Sequence, residues 1–107
     1  MTAFSRDKQS ERILREAPAR LSLHNFEQER HILYPPTLAA RFVDGYLDGA
    51  DGAALERAVA HRHPRLEGEG LAAFTFGWCR GHADLLGHRP RYERVEEWLS
   101  RRVASRG

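Results

Sequence analysis

The chain has 107 residues, enough for one domain whose core needs no disulfide or metal. Hydrophobic residues make up 41% and charged residues 30%, and no apolar run approaches the roughly 18 residues of a membrane span, which speaks against a membrane protein. The formal net charge of +2 is too small to indicate nucleic-acid binding by itself, and the single Cys79 excludes an intrachain disulfide.

A reducing, cytoplasmic location is the default expectation, since the start lacks the charged-then-apolar pattern of a secretory leader. Residues 1–3 read as a loose, disordered terminus. A first helix is predicted over 5–17, with Ser5 as N-cap and Pro18 ending it. A short second helix follows Asn25, where Asn25 and Gln28 form a capping-box pattern, although 21–34 also fits an extended stretch. Pro35-Pro36 breaks the chain, and Pro36 suits the first turn of a third helix over 37–50. Leu38, Phe42, Tyr46 and Gly49 share one stripe of that helix. Asp51-Gly52 marks a turn, with Asp51 placed to cap a fourth helix carrying Leu55, Ala58 and Val59, which Pro64 ends. Residues 67–70 read as a loop. A fifth helix is predicted over 71–86, closed by Gly87. Pro90 opens a sixth, with Tyr92, Val95, Leu99 and Val103 as its inner stripe and Trp98 beside it. The expected fold is a single all-α domain over 1–107, a bundle of five or six short helices. Its expected core is Phe42, Tyr46, Phe74, Trp78 and Trp98.

Two segments of the third and fifth helices repeat one pattern. Phe42-Val43-Asp44-Gly45-Tyr46-Leu47-Asp48-Gly49 and Phe74-Thr75-Phe76-Gly77-Trp78-Cys79-Arg80-Gly81 both read aromatic, two residues, Gly, aromatic, two residues, Gly. Each mid-helix glycine costs roughly 0.5–1 kcal/mol relative to alanine, so four at matched positions imply close backbone approach. Gly45, Tyr46, Gly49, Gly77, Trp78 and Gly81 are therefore expected at a helix–helix contact.

Three other constellations could carry chemistry. His61, His63, Cys79 and His82 offer four nitrogen and sulfur ligands for zinc, against the plainer reading of a decorated helix end and a small core cysteine. Asp44, Asp48 and Asp51 recur on one helical face, either as a divalent-cation site or an acidic patch for a basic partner or, more plainly, as a solvated face. Arg89, Arg91, Arg94, Arg101, Arg102 and Arg106 interleave with Tyr92 and Trp98, a pattern that can follow phosphates and stack on bases. Of these, Arg91, Arg94, Arg101 and Arg102 are the candidate nucleic-acid contacts, although Glu93, Glu96 and Glu97 dilute the stretch. The cations are one lysine, Lys8, against sixteen arginines, a bias whose plainer reading is a GC-rich genome and whose functional reading is bidentate phosphate contact. No nucleophile–base–orienter set completes a catalytic site, so no enzyme and no cofactor is expected.

Gly45-Tyr46-Leu47-Asp48-Gly49-Ala50-Asp51-Gly52, followed by Phe74-x-x-Gly77-Trp78 and Ala83-Asp84, resembles the ribosome modulation factor family of small helical bacterial proteins. The resemblance covers about 44–84. It implies a helix pair that binds the small ribosomal subunit and helps to idle ribosomes.

The expectation is therefore a non-enzymatic bacterial binding protein associated with ribosomes or RNA. The alternatives are a protein-interaction module (an inhibitor, adaptor or phage-type accessory factor, monomeric or homodimeric) and a zinc-binding protein.

Overall fold

The computed structural model describes the backbone of residues 2–62 and 66–106 and the side chains of 11, 13–60 and 66–102. Five helices follow in order: α1 (Thr2–Arg30), α2 (Pro36–Ala50), α3 (Leu55–Arg62), α4 (Gly68–Leu86) and α5 (Tyr92–Arg106). Among the described residues there is no strand, and no helix is long and apolar enough to cross a membrane.

The first two expected helices are one. α1 starts at Thr2, inside the stretch expected to be loose, and runs through Pro18 for 29 residues. Proline inside a helix forfeits the bond to the carbonyl four residues back. Here that carbonyl belongs to Leu14, and Leu14 and Pro18 are both exposed, so water can satisfy it. Continuing the helix brings Ala19, Leu23 and Phe26 onto one buried face. α1 then ends where His31 takes a positive φ of 54°. Its N–H reaches the Gln28 carbonyl at 3.3 Å and the Ile32 N–H reaches that of Glu27 at 3.0 Å, a Schellman closure. Residues 32–35 are non-helical, and the Glu27 carboxylate accepts the Tyr34 N–H at 2.8 Å.

α2 and α4 form the dominant helix contact, and the paired glycines make it. A Cβ added at Gly45, Gly49, Gly77 or Gly81 would lie 2.8 Å from a backbone atom of the other helix, and closer still to a carbonyl oxygen. Gly45 faces the Phe74 carbonyl and Gly77 the Phe42 carbonyl; Gly49 faces that of Trp78 and Gly81 that of Tyr46. These oxygens stand against glycine Cα atoms in the manner of Cα–H···O=C contacts. Later residues of α2 meet later residues of α4, so the two helices run in the same direction. A parallel pair needs a return connection, and residues 51–67 with α3 supply it.

Asp51 does not cap α3. It closes α2 instead, its N–H bonded to the Leu47 carbonyl at 3.0 Å, and its carboxylate meets Arg15 of α1 at 3.3 Å. α4 begins three residues earlier than expected, so 68–70 belong to the helix rather than to a loop. Gly87 ends it as expected, left-handed at φ 73°. The stop at Pro64 lies outside the described residues.

The core has two centres rather than one built around the five expected aromatics, and Trp78 belongs to neither buried cluster. Phe26 leads the first, with Ala19, Leu23, Phe42, Val43 and Tyr46. The Phe26 ring lies 5.2 Å from Phe42, 5.3 Å from Phe76 and 5.8 Å from Tyr92. The second gathers Phe74, Val59, Ala58, Leu66 and Leu71, with Trp98 and Leu99 half-buried at its edge. Asp48, expected on a solvated face, is buried at 5% exposure. α2 packs on α1, α3 and α4 together, so its buried arc is wider than the single stripe expected.

Candidate nucleic-acid interface

The end of α4 and the start of α5 form a cleft of about 180 Å³. Trp78 and His82, one turn apart on α4, stack at 4.6 Å with their planes 13° apart, and both line it. The Trp78 indole N–H donates to the Ala53 carbonyl at 2.7 Å, which fixes the ring against the turn between α2 and α3. Leu86 and Val95 add apolar wall, and Arg91 and Arg94 form the cationic side with His88 near them. The structure thus brings two of the expected arginines together with one of the expected helix-contact aromatics.

Arg101 and Arg102 are elsewhere. They line an open depression with Trp98 and Glu56, and the Arg102 guanidinium lies 5.2 Å over the Trp98 ring. The four candidate arginines therefore divide into two pairs, each with its own aromatic neighbour. About 100° of rotation per residue puts Arg94, Trp98, Arg101 and Arg102 on one side of α5. Glu96 falls on the opposite side, Glu93 on the flank, and Glu97 lies one turn from both Arg94 and Arg101, so one carboxylate borders the arginines directly.

The arginines divide by partner. Arg15, Arg20, Arg30, Arg41 and Arg80 each meet a carboxylate. Among the described residues, the guanidinium groups of Arg57, Arg89, Arg91, Arg94 and Arg101 meet none. Four of these five lie between 89 and 101, so the cations without partners are gathered where the basic stretch was expected.

The paired arginines are structural. Arg80, 14% exposed, donates to the Ser22 hydroxyl at 2.5 Å and to the Tyr92 hydroxyl at 2.8 Å, and it meets Glu29 at 3.3 Å. It ties α1, α4 and α5 together. Arg30 lies 5.0 to 5.4 Å over the rings of Tyr92, Phe76 and Phe26 and pairs with Glu96 at 3.4 Å. Neither role is visible from a helix that stops before Pro18. Ser22, Phe26, Glu29 and Arg30 recur at helical spacing on α1, a signal hidden by ending the helix at Pro18.

Cys79 is buried, and burial pushes its thiol above its ordinary pKa, which keeps it protonated and unreactive. His82 lines the same cleft, but the side chains of His61 and His63 lie outside the described residues. Among the described residues no group of three His, Cys, Asp or Glu side chains is placed to hold a metal ion. Of the expected acidic face, Asp44 pairs with Arg41 at 3.8 Å and Asp51 with Arg15. Tyr46, at the helix contact, donates its hydroxyl to Asp84 at 2.5 Å.

No protein-family model, curated protein or solved structure matches the chain.

Proposed function

We propose that this chain is a non-catalytic binding protein whose partner is RNA, free or in a ribosome. The observation that carries this reading is the set of arginines without carboxylate partners at 89–101, beside the aromatic cleft. A cation with no internal partner keeps its full capacity for phosphate, and an arginine fork holds phosphate bidentately. The likeness of 44–84 to ribosome modulation factors points the same way, with the ribosome as the specific form. In this reading α2 and the glycine face of α4 are scaffold, because they are occupied by each other, and the Trp78–His82 side of α4 carries the contact. Co-sedimentation with ribosomes and with free RNA at low and high salt is the test. Binding that weakens steeply with salt supports the reading, and no co-sedimentation even at low salt removes it.

A second reading, a protein-interaction module, is favoured by α1. Ile13, Leu14 and Leu21 are 69%, 73% and 63% exposed on the side away from Ala19, Leu23 and Phe26. Binding through that face would be insensitive to salt and abolished by Leu21→Glu.

A further inference from the structure

We propose that the α4–α5 cleft takes one unstacked base of a single-stranded nucleic acid, laid against the Trp78–His82 stack with its phosphate on Arg91 and Arg94. The proposal rests on the RNA reading above and names the form of RNA it requires.

The lining is divided as a nucleotide is divided. Trp78, His82, Leu86 and Val95 offer planar and apolar surface, while Arg91 and Arg94 stand together at one side. A backbone-following site needs only the cations; the aromatic wall is surplus unless a ring lies on it. The volume of about 180 Å³ corresponds to roughly six molecules of liquid water, a space for one heterocycle. Duplex RNA keeps its base faces covered by neighbouring bases and presents edges and phosphates, so it cannot place a base face on this wall. A single strand can, and base–aromatic stacking is tolerant of sequence.

The wall is held before any ligand arrives. The 2.7 Å bond from Trp78 to the Ala53 carbonyl and the parallel stack with His82 leave neither ring to be ordered on binding. On α4 the nearby carboxylate, Asp84, accepts the Tyr46 hydroxyl and is thereby turned toward α2. From α5, Val95, Arg94 and the preceding Arg91 line the cleft, and Glu93 stands close enough to act on Cys79, so the arginines outnumber the carboxylate at this site.

The test uses the full chain carrying Trp98→Phe, so that Trp78 is its only fluorophore of that kind. A ten-nucleotide oligoadenylate and a duplex RNA of ten base pairs are titrated at low salt. The expected result is quenching of Trp78 by the single strand, with at least tenfold tighter binding than the duplex. His82→Ala should weaken single-strand binding about tenfold and leave duplex binding unchanged, and its melt should match the parent's. Equal affinity for the two RNAs, or no effect of His82→Ala, would overturn the base-binding proposal while RNA binding itself stands. No binding of either RNA would remove both the proposal and the reading beneath it.

Discussion

Gly45 and Gly77 occupy equivalent places in the α2–α4 crossing: each faces the carbonyl of the residue three positions before the other, Phe74 for Gly45 and Phe42 for Gly77. Gly49 and Gly81 repeat the relation one turn on, through Trp78 and Tyr46. The crossing is therefore pseudo-twofold at the level of single atoms, and the matched spacing in the sequence is its direct cause.

Gly77→Ala and Gly81→Ala should destabilise the fold. The obstacles to a new Cβ are backbone atoms, which cannot swing aside, so the overpacking penalty of about 1–3 kcal/mol should exceed the gain in helix propensity. Gly70→Ala is the control, since its Cβ would meet only the flexible end of Leu66 at 3.2 Å. Its melting temperature should equal or exceed the parent's. Thermal melts decide it: a Gly77→Ala chain as stable as the parent would contradict the crossing.

Phe26→Ala should cost about 3–5 kcal/mol, the range for a large ring removed from a packed core. Phe26 is 1% exposed and touches rings from α2, α4 and α5. Leu21→Ala, five residues earlier on the outward side, should change stability by less than about 0.5 kcal/mol. Urea titration of the two variants separates them; equal midpoints would mean that α1 is not docked as described.

Phe26 also marks what is legible in the chain. The glycine–aromatic pair and the α2–α4 contact can be read directly because close approach demands glycine and nothing else substitutes for it. α1 is misread when Pro18 is treated as a stop on local grounds. The deciding term is tertiary: burial of Ala19, Leu23 and Phe26 outweighs one missing backbone bond at an exposed site. The arginine stretch is visible as composition. Its pairing with Trp78 and His82 is not, because α5 must fold back along α4 before residues 91 and 78 can meet. Asp48 is misplaced by the sequence pattern because a single stripe does not describe a helix that three others cover.

Arg91→Glu with Arg94→Glu should abolish most RNA binding and flatten its salt dependence. Deleting one phosphate interaction with a single strand lowers the slope of log affinity against log salt by about 0.7, so the double variant should lower it by at least about 1.4. Both side chains are exposed and meet no carboxylate, so stability should change by less than about 1 kcal/mol. Arg20→Glu, on α1, should leave binding unchanged. Filter binding over a salt series reads the slope, and an unchanged slope in the double variant would place the RNA elsewhere on the surface.

Tyr46 should give the protein an alkaline limit of its own. Burial first, and then the hydrogen bond to Asp84, push its hydroxyl up to about 12, against about 10 in an unfolded chain. Below pH 10 the hydroxyl is protonated in both states and its contribution is complete. Between 10 and 12 the unfolded chain ionises while the folded one does not, so stability falls with rising pH across that window. Tyr46→Phe should lower stability at pH 8 by about 1 kcal/mol through the missing hydrogen bond and make the decline above pH 10 shallower. Parallel denaturant curves from pH 8 to 12 check it; an equally steep decline in Tyr46→Phe would rule it out.

The symmetry of the α2–α4 seam leaves folding with a choice to make. A surface of glycines and carbonyls that accepts its near-copy offers much the same backbone complement to itself. The seam is strong but ambiguous. At its edge the Tyr46–Asp84 bond already joins unlike residues, and further discrimination comes from the Phe26 cluster of α1 and the Arg80 anchor, which engage α2 and α4 through unlike residues: Phe42 on one, Phe76 and Arg80 on the other. α1 therefore works as the key that tells the two halves apart, and a chain deprived of it keeps the adhesive while losing the instruction for what to adhere to.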